Sequence, residues 1–385
     1  MIASPATSNA AGLYVHVPFC SAICPYCDFA VRTGDAAAKH DFVDALRREI
    51  ALIDDWNQPI DTVYFGGGTP SALAPEQLRD IRGYLAERFA IAHDAVWTLE
   101  VNPEDVNSAQ TGDWRALGFQ RVSLGVQSFR DEELRKLGRR HSSTDAQTAV
   151  EQCLSADFDT VSLDLMFGLP NQTRDAWQDS LETAVSLGAP HVSCYQLTIH
   201  ENTTFGRWRD RNRLVEMPED EQASLLTLTH RTLTDHGWNA YEVSNFARGV
   251  SHQSQHNIKY WSHIPYLGVG PSAHSFDGSR RWWNEPRMND WQARLQESQR
   301  PIVESETLDD DALALETVML TLRTRWGIDT DAFRHRFGVD LVERNRAVLD
   351  ALVNEGYLNV SAHAIQPTTK GFNIVDGIAL RLRFD

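Results

Sequence analysis

Basic residues are scarce in this sequence of 385 residues. Its 36 Lys and Arg face 53 Asp and Glu, so the formal net charge is −17. A chain of that charge repels a phosphate backbone, which argues against nucleic acid as its main partner. No apolar run reaches the roughly 20 residues that span a bilayer. Residues 1–12 lack the basic start and apolar core of a signal peptide. We expect a cytoplasmic protein with a loose N-terminus and, at most, peripheral membrane contacts.

Cysteine is rare as well, with five residues in the whole chain. Cys153 and Cys194 lie in apolar runs and are expected to be core residues. The other three fall within eight residues of one another, and such a cluster is typical of a metal-binding protein from a reducing compartment. The length allows two or three domains with large cores, so the fold needs no disulfide bonds.

The three clustered cysteines, Cys20, Cys24 and Cys27, have the spacing C-x3-C-x2-C. A cubane iron-sulfur cluster normally takes one thiolate per iron, so three thiolates would leave one iron open for another ligand. Two other interpretations remain at this point. The triplet and His16 could bind zinc as a Cys3His site, or the cysteines could simply be buried in a core.

The common nucleotide-binding motifs are missing from the glycine-rich stretch 66–70. It has neither the Gly-Lys-Ser/Thr of a P-loop nor the G-x-G-x-x-G of a dinucleotide-binding fold. Three successive glycines allow a ligand to approach the backbone closely because no Cβ intervenes. The alternative is a plain tight turn.

Short apolar runs alternate with amphipathic stretches over the first half of the chain. The helical stretches include residues 42–53, 75–89 and 146–154. The six apolar runs predicted as buried strands are residues 13–17, 62–65, 96–101, 121–126, 160–166 and 191–198. This alternation predicts a parallel sheet covered by helices, with six units that suggest a partial barrel.

Polar and glycine motifs follow four of the predicted strands. They are Gly66 to Pro70, Asn102-Pro103, Gln127-Ser128 and Gly168 to Pro170. In a barrel of parallel strands, the loops at the carboxyl ends of the strands build the active site. The sequence therefore predicts one site at this end of the sheet.

Charged residues inside or beside the apolar runs add to this prediction. A carboxylate such as Glu100 within a buried strand is costly unless it is paired. Asp164 suits ribose hydroxyls, and Arg139 suits a ligand carboxylate. The bland alternative is that Glu100, Arg139 and Asp164 pair with one another for structural reasons.

The cysteine triplet and its flanks, Tyr14 to Cys20 and Cys27-Asp28-Phe29, closely resemble the radical S-adenosylmethionine (SAM) superfamily. The resemblance is closest to its branch of coproporphyrinogen dehydrogenases and HemW-like heme chaperones. It implies an α/β fold, a partial (β/α)6 barrel with a [4Fe-4S] cluster on the three cysteines, whose open iron chelates SAM. The positions that match SAM-contacting positions of the family are Tyr14, Gly67, Gly68, Thr69, Glu100, Gln127, Arg139 and Asp164.

Two features distinguish the members of this branch. The dehydrogenases have a fourth cysteine two residues after the third, and this chain has Phe29 there. The motif H-N-x-x-Y-W at His256, Tyr260 and Trp261 resembles the heme chaperones. The resemblance therefore implies His256 as an axial heme ligand, with Tyr260 and Trp261 beside the porphyrin; His252, His263 and His274 are alternates. Otherwise His256 caps a turn and the two aromatic residues fill core.

The predicted domains follow from these patterns. A loose N-terminus (1–12) precedes the radical SAM barrel (13–210), a barrel-closing region with the H-N-x-x-Y-W motif (211–300) and a small helical domain that resembles a winged helix (301–385). The acidic stretch 304–311 argues against DNA binding by that last domain. A docking or lid role fits it better.

The expected function is a heme chaperone that binds heme and transfers it to acceptor hemoproteins, including acceptors at the membrane. Its expected cofactors are a [4Fe-4S] cluster and SAM, its cargo is heme, and it needs an electron donor. The alternative is a radical SAM enzyme of porphyrin biosynthesis, and the cysteine pattern argues against dehydrogenase activity. The sequence leaves a homodimer open.

Overall fold

A computed structural model describes residues 8–384 of the chain. Its centre is six parallel strands that pair in chain order. These strands are β1 (Ala11–Val17), β2 (Ile60–Gly67), β3 (Ile91–Val101), β4 (Arg121–Gln127), β5 (Thr160–Phe167) and β6 (His191–Gln196). The six predicted strands are confirmed, and β3 begins five residues earlier than predicted.

Helices connect these strands on the outside of the sheet. They are α1 (Ala36–Leu52), α2 (Pro75–Arg88), α3 (Ser108–Ala116), α4 (Asp131–Lys136), α5 (Ser143–Ser155) and α6 (Arg174–Leu187). Side-chain caps fix several of their first residues: the carboxylate of Asp35 accepts from the Ala38 amide, and Ser142 caps α5 in the same way. The chain is therefore an α/β protein of the predicted class.

The large sheet continues past both ends of the six-stranded centre. β7 (Asn239–Ala240) and β8 (Asn245–Ala247) extend it beyond β6, and β9 (Tyr266–Val269), β10 (His274–Phe276), β11 (Arg280–Asn284) and β12 (Ile302–Thr307) extend it beyond β1. The helices of this part are α7 (Thr204–Asp210), α8 (Glu219–Asp235), α9 (Gln255–Trp261) and α10 (Met288–Gln296).

The predicted domain boundaries need two changes. Ala11 is fully buried in β1, so the first strand takes in two residues of the segment predicted to be loose; residues 1–7 lie outside the described part of the chain. At the other end, β12 pairs with β11 of the large sheet. The C-terminal domain therefore begins after residue 307, not at 301.

The C-terminal domain packs helices against a small sheet. Its elements are α11 (Asp310–Leu322), β13 (Ile328–Asp329), α12 (Thr330–Phe337), α13 (Leu341–Arg344), α14 (Arg346–Asn354), β14 (Leu358–Val360), β15 (Ala364–Pro367) and α15 (Val375–Ala379). The sheet has three strands, ordered β13-β15-β14. Asn345 separates α13 from α14, and its side chain donates to the Leu341 carbonyl.

A buried carboxylate ties the C-terminal domain to the large sheet. Glu242 is 2% exposed and accepts from the Ser244 amide (2.9 Å) and from Asn245 Nδ2 (2.8 Å). Arg323, at the end of α11, reaches it with Nη2 at 3.3 Å. Backbone bonds join the same segments, including Val243 N to Arg323 O at 3.0 Å.

Within the described part of the chain, no helix combines the length and the apolar character needed to cross a membrane.

Candidate functional site

A cavity of about 490 Å³ opens at the carboxyl ends of the parallel strands. This is the end at which the four sequence motifs were predicted to meet, and side chains from β2 to β5 reach it. The predicted residues that line it are Cys20, Cys24, Cys27, Gly67, Gly68, Thr69, Glu100, Gln127, Arg139 and Asp164.

The cysteine loop forms one wall of this cavity. All three cysteines of the triplet have free thiols and are partly exposed. Backbone hydrogen bonds hold the base of the loop, because the Cys20 amide donates to Arg32 O at 2.9 Å and the Arg32 amide to Pro18 O at 2.7 Å. Cys153 and Cys194 are buried elsewhere, as predicted.

The donor set of the loop fits an iron-sulfur cluster. Three thiols face one cavity, Thr69 Oγ1 lies 3.6 Å from Cys20 Sγ, and Arg139 Nη1 lies 3.8 Å from Cys24 Sγ. Burial raises the pKa of Cys20, and that of Cys27 to about 11, so a bound metal would have to displace protons from these thiols. In residues 8–384 no three Cys, His, Asp or Glu side chains are already gathered at metal-binding spacing.

His16 does not supply a fourth ligand to this loop. Its Nδ1 lies 3.3 Å from the Tyr14 hydroxyl, and its Nε2 lies 3.1 Å from the Ala30 carbonyl oxygen. The ring is 6% exposed. The interpretation as a Cys3His zinc site therefore lacks its histidine ligand.

The glycines after β2 are required by the protein's own packing. A Cβ on Gly67, whose φ is +104°, would lie 2.6 Å from the His16 ring, and one on Gly68 would lie 2.7 Å from Phe19 O. The Gly68 amide donates to Val17 O at 2.8 Å, so the glycine turn is bound to the end of β1. The close approach of His16 and of Phe19 O therefore explains why both positions are glycine. Their contact with SAM stays a prediction.

Two half-buried carboxylates face the cavity. Tyr64 donates to Glu100 Oε1 at 2.7 Å, and Ser123 Oγ lies 3.1 Å from both carboxylate oxygens of Asp164. Burial raises the pKa of Glu100 to about 7 and that of Asp164 to about 6, and the charge of Asp164 raises the pKa of Glu100 further. Both groups are therefore prepared for a ligand that presents hydrogen-bond donors or positive charge.

Arg139 is positioned by neutral groups. Its Nη2 donates to Asn102 Oδ1 at 2.6 Å and to Gly125 O at 2.7 Å. Its Nε is buried and has no partner in the part of the chain described here. The alternative interpretation, a structural pairing of Arg139 with Glu100 and Asp164, is thus not found, which leaves this cation available to a ligand carboxylate.

Gln127 and Tyr14, two of the predicted SAM residues, are notable for an unusual backbone conformation and for a position outside the cavity lining, respectively. Gln127 lines the cavity with a left-handed backbone, φ +67°, which is a strained conformation for a residue with a side chain. Tyr14 stacks on Tyr64 with 6.2 Å between ring centroids, and Tyr64, not Tyr14, lines the cavity. Tyr14 supports the wall from behind.

The sequence assigned no ligand-binding role to three lining residues, Asn102, Tyr64 and Ser123. Asn102 donates to Thr69 Oγ1 (2.9 Å) and accepts from Arg139 (2.6 Å), and its position directly after a strand was the available signal. Ser123 and Tyr64 hold the two carboxylates. Nothing in the apolar patterns of β2 and β4 marks them as site residues.

His256, the predicted heme ligand, lies near the amino ends of the parallel strands, away from the cavity. Its Nδ1 is 2.9 Å from Thr62 Oγ1, its Nε2 is 2.7 Å from the Tyr260 hydroxyl, and it is 3% exposed. On the same helix, Lys259 Nζ pairs with Asp61 at 2.7 Å and so fixes α9 to β2. With both ring nitrogens engaged, His256 has no nitrogen free for iron in this conformation.

The other members of the H-N-x-x-Y-W motif also pack in the interior. Tyr260 meets Tyr266 edge to face at 4.6 Å, and Trp261 packs against Tyr241 at 5.8 Å. Of the alternates, His263 is 9% exposed and His252 is half-buried against Thr160, whereas His274 is exposed and stacked on Trp283. The heme role of these residues stays a prediction, and the contacts of His256 weigh against it.

Comparison with known proteins identifies the family of this chain. The family model described as the radical SAM superfamily matches residues 14–184, and the one described as the HemN C-terminal domain matches residues 308–374. The protein named heme chaperone HemW of Bacillus subtilis is 32% identical over 361 residues, covering 93% of this chain and 95% of that protein. Heme chaperone HemW of Mycobacterium tuberculosis is 34% identical over 384 residues, covering 98% of this chain and 96% of that protein.

A solved structure supports the fold. Coproporphyrinogen III oxidase (HemN) from Escherichia coli, described as a radical SAM enzyme, superposes with a TM-score of 0.84 over 99% of this chain and 91% of that one. The two share 22% sequence identity, so this likeness concerns the fold alone. Together with the near-complete match to the curated relatives, these findings show that the chain belongs to the HemW-like branch of the radical SAM superfamily.

Proposed function

We propose that the protein is a heme chaperone that binds heme and transfers it to acceptor hemoproteins. The observation that carries the proposal is the end-to-end similarity to proteins named heme chaperone HemW, which leaves no large segment of either chain unmatched. Phe29 supports it, since it stands where the dehydrogenases of this branch have a fourth cysteine. The five cysteines are free thiols, consistent with a cytoplasmic site of action.

The same proposal includes a [4Fe-4S] cluster on Cys20, Cys24 and Cys27, with exchangeable SAM. When bound, this pair of cofactors supplies one-electron chemistry, for which an external electron donor is needed. The chain's own residues would bind and orient them. Arg139 would hold the SAM carboxylate, Asp164 the ribose hydroxyls, and Glu100 the amino group.

A direct test uses the full chain after anaerobic reconstitution. Heme should bind at about one per chain, and it should then appear in an apo-hemoprotein faster than heme released to solvent would allow. Binding without accelerated transfer would reduce the protein to a heme store. No heme binding at all would overturn the proposal.

The second function to consider is coproporphyrinogen dehydrogenation, which the HemN fold favours. The reconstituted protein should leave coproporphyrinogen unconverted under reducing conditions with SAM present. Formation of protoporphyrinogen with SAM consumption would replace the chaperone proposal by an enzyme of porphyrin biosynthesis.

A further inference from the structure

Two exposed aromatic side chains lie on elements beside the mouth of the cavity. Phe29, on the cysteine loop, lines the cavity and is 64% exposed. Trp208, on α7, is 38% exposed. Exposed apolar side chains next to a pocket often mark a binding surface. We call these two residues, with His200 and Arg207 described below, the rim patch.

A hydrophobic cluster below the rim patch fixes its parts relative to one another. Phe205 of α7 packs on Tyr26 of the cysteine loop (6.3 Å) and on Trp208 (5.6 Å). The Phe205 amide donates to Pro25 O at 2.9 Å. The helix that carries Trp208 and Arg207 is therefore attached directly to the loop that carries Phe29.

His200 is the one histidine among the described residues that line the cavity. Its side chain is 48% exposed, and Asp28 Oδ2 lies 3.2 Å from Nε2. A carboxylate at one nitrogen of an imidazole fixes the orientation of the ring and makes the other nitrogen a better metal ligand. This is the arrangement that His256, with both nitrogens engaged inside the barrel, does not offer.

Positive charge follows this histidine in the sequence, in a chain whose net charge is −17. The segment after it contains the exposed residues Arg207, Arg211 and Arg213. Arg207 is attached to the turn that follows His200, because it donates to Thr204 Oγ1 (2.8 Å) and Asn202 O (3.1 Å). A guanidinium in this position can pair with a carboxylate at the edge of a bound ligand.

We propose that heme binds on the rim patch, outside the cavity, with His200 as an axial ligand of its iron. Heme combines the three properties that the patch complements: an iron atom for the imidazole, a flat apolar face for Phe29 and Trp208, and propionates for Arg207. The cavity behind the patch stays available to SAM. This inference rests on the proposed heme-binding function.

The test compares hemin with metal-free protoporphyrin IX on the full, cluster-loaded chain. His200→Ala should weaken hemin binding by about 10-fold or more and shift the Soret band away from that of an imidazole-ligated ferric heme, since an iron ligand is lost. It should leave protoporphyrin IX binding unchanged. Added imidazole should restore the spectrum. Arg207→Gln should weaken both probes by about twofold to fivefold, because the propionates are common to them.

Two variants serve as controls. His363 forms a similar exposed pair with Asp331 in the C-terminal domain, so His363→Ala should change neither probe. His256→Ala should retain the hemin spectrum in whatever fraction remains folded, which circular dichroism measures. An unchanged hemin spectrum in His200→Ala, or an equal loss of both probes, would overturn the assignment of His200. A wild-type chain that binds no hemin would instead overturn the proposed function itself.

Discussion

The ionisation of Glu100 should control how tightly the protein binds SAM. Its half-buried carboxylate has a pKa of about 7, because desolvation outweighs the hydrogen bonds from Tyr64 and the Gly67 amide. Below that pH the carboxyl carries a proton and becomes a poorer acceptor for the SAM amino group. SAM affinity should therefore decrease as the pH is lowered through 7.

The size of the effect follows from the two pKa values. Between pH 8 and pH 6 the ionised fraction of Glu100 falls from about 0.9 to about 0.1, which corresponds to ~10-fold in affinity. Asp164, with a pKa of about 6, contributes ~2-fold over the same range. From pH 8 to pH 6, the SAM affinity of the wild-type protein should therefore decrease ~20-fold. That of Glu100→Gln should decrease only ~2-fold, starting from a value that is already lower than the wild type's at pH 8.

The assay is a SAM titration of the cluster-loaded protein at several pH values. The amino group of SAM titrates as well, but it does so equally with both proteins and cancels from the comparison. Tyr64→Phe is the matched control, because it removes the hydrogen bond that lowers the pKa of Glu100 and should move the midpoint to higher pH. Parallel pH profiles for wild type and Glu100→Gln would refute the assigned role of Glu100.

Three further predictions concern single contacts. Cys20→Ala should abolish the cluster of about four iron and four sulfide, whereas Cys153→Ala, which alters a buried core thiol, should retain it in iron and sulfide analysis. Arg139→Ala should weaken SAM binding by about 10 to 150 fold in equilibrium titration, since a charge-assisted contact is lost; unchanged affinity would return this residue to a structural role. Glu49 is buried and accepts from the Gly270 amide, Asn284 and Trp291. Glu49→Gln should cost about 1–3 kcal/mol in denaturant unfolding, since it turns an acceptor into a donor facing donors.

The parallel strands were the most predictable part of the fold, for a physical reason. Each is buried on both faces, so its sequence is a nearly continuous apolar run. The apolar pattern ends where the burial ends. β3 starts at Ile91, but the exposed residues His93 and Asp94 interrupt the apolar run, so its first residues were not predicted as strand. The short strands β7 to β12 have at most six residues each, too few for a periodic pattern.

The site was predictable where a motif follows a strand, as at Asn102 and Gln127. It was less predictable where tertiary packing decides the role of a residue. His256 and His200 are the same residue type, and only the fold shows that one is enclosed by Thr62 and Tyr260 while the other lies at the cavity mouth. The resemblance to a family cannot supply that distinction either, since it assigns residues by position in the sequence.

The Glu242–Arg323 contact limits how this protein can be shortened for experiments. A chain ending at Thr307 would keep the whole cavity but lose Arg323, and Glu242 would then lack the cation that neutralises it. Removing the cation that faces a buried carboxylate is destabilising, because the remaining charge is left unpaired in the interior. The cut would also uncover Tyr241, which is fully buried and clusters with Trp326. Such a fragment would expose new apolar surface that adsorbs porphyrins without specificity, so heme measurements need the full-length chain.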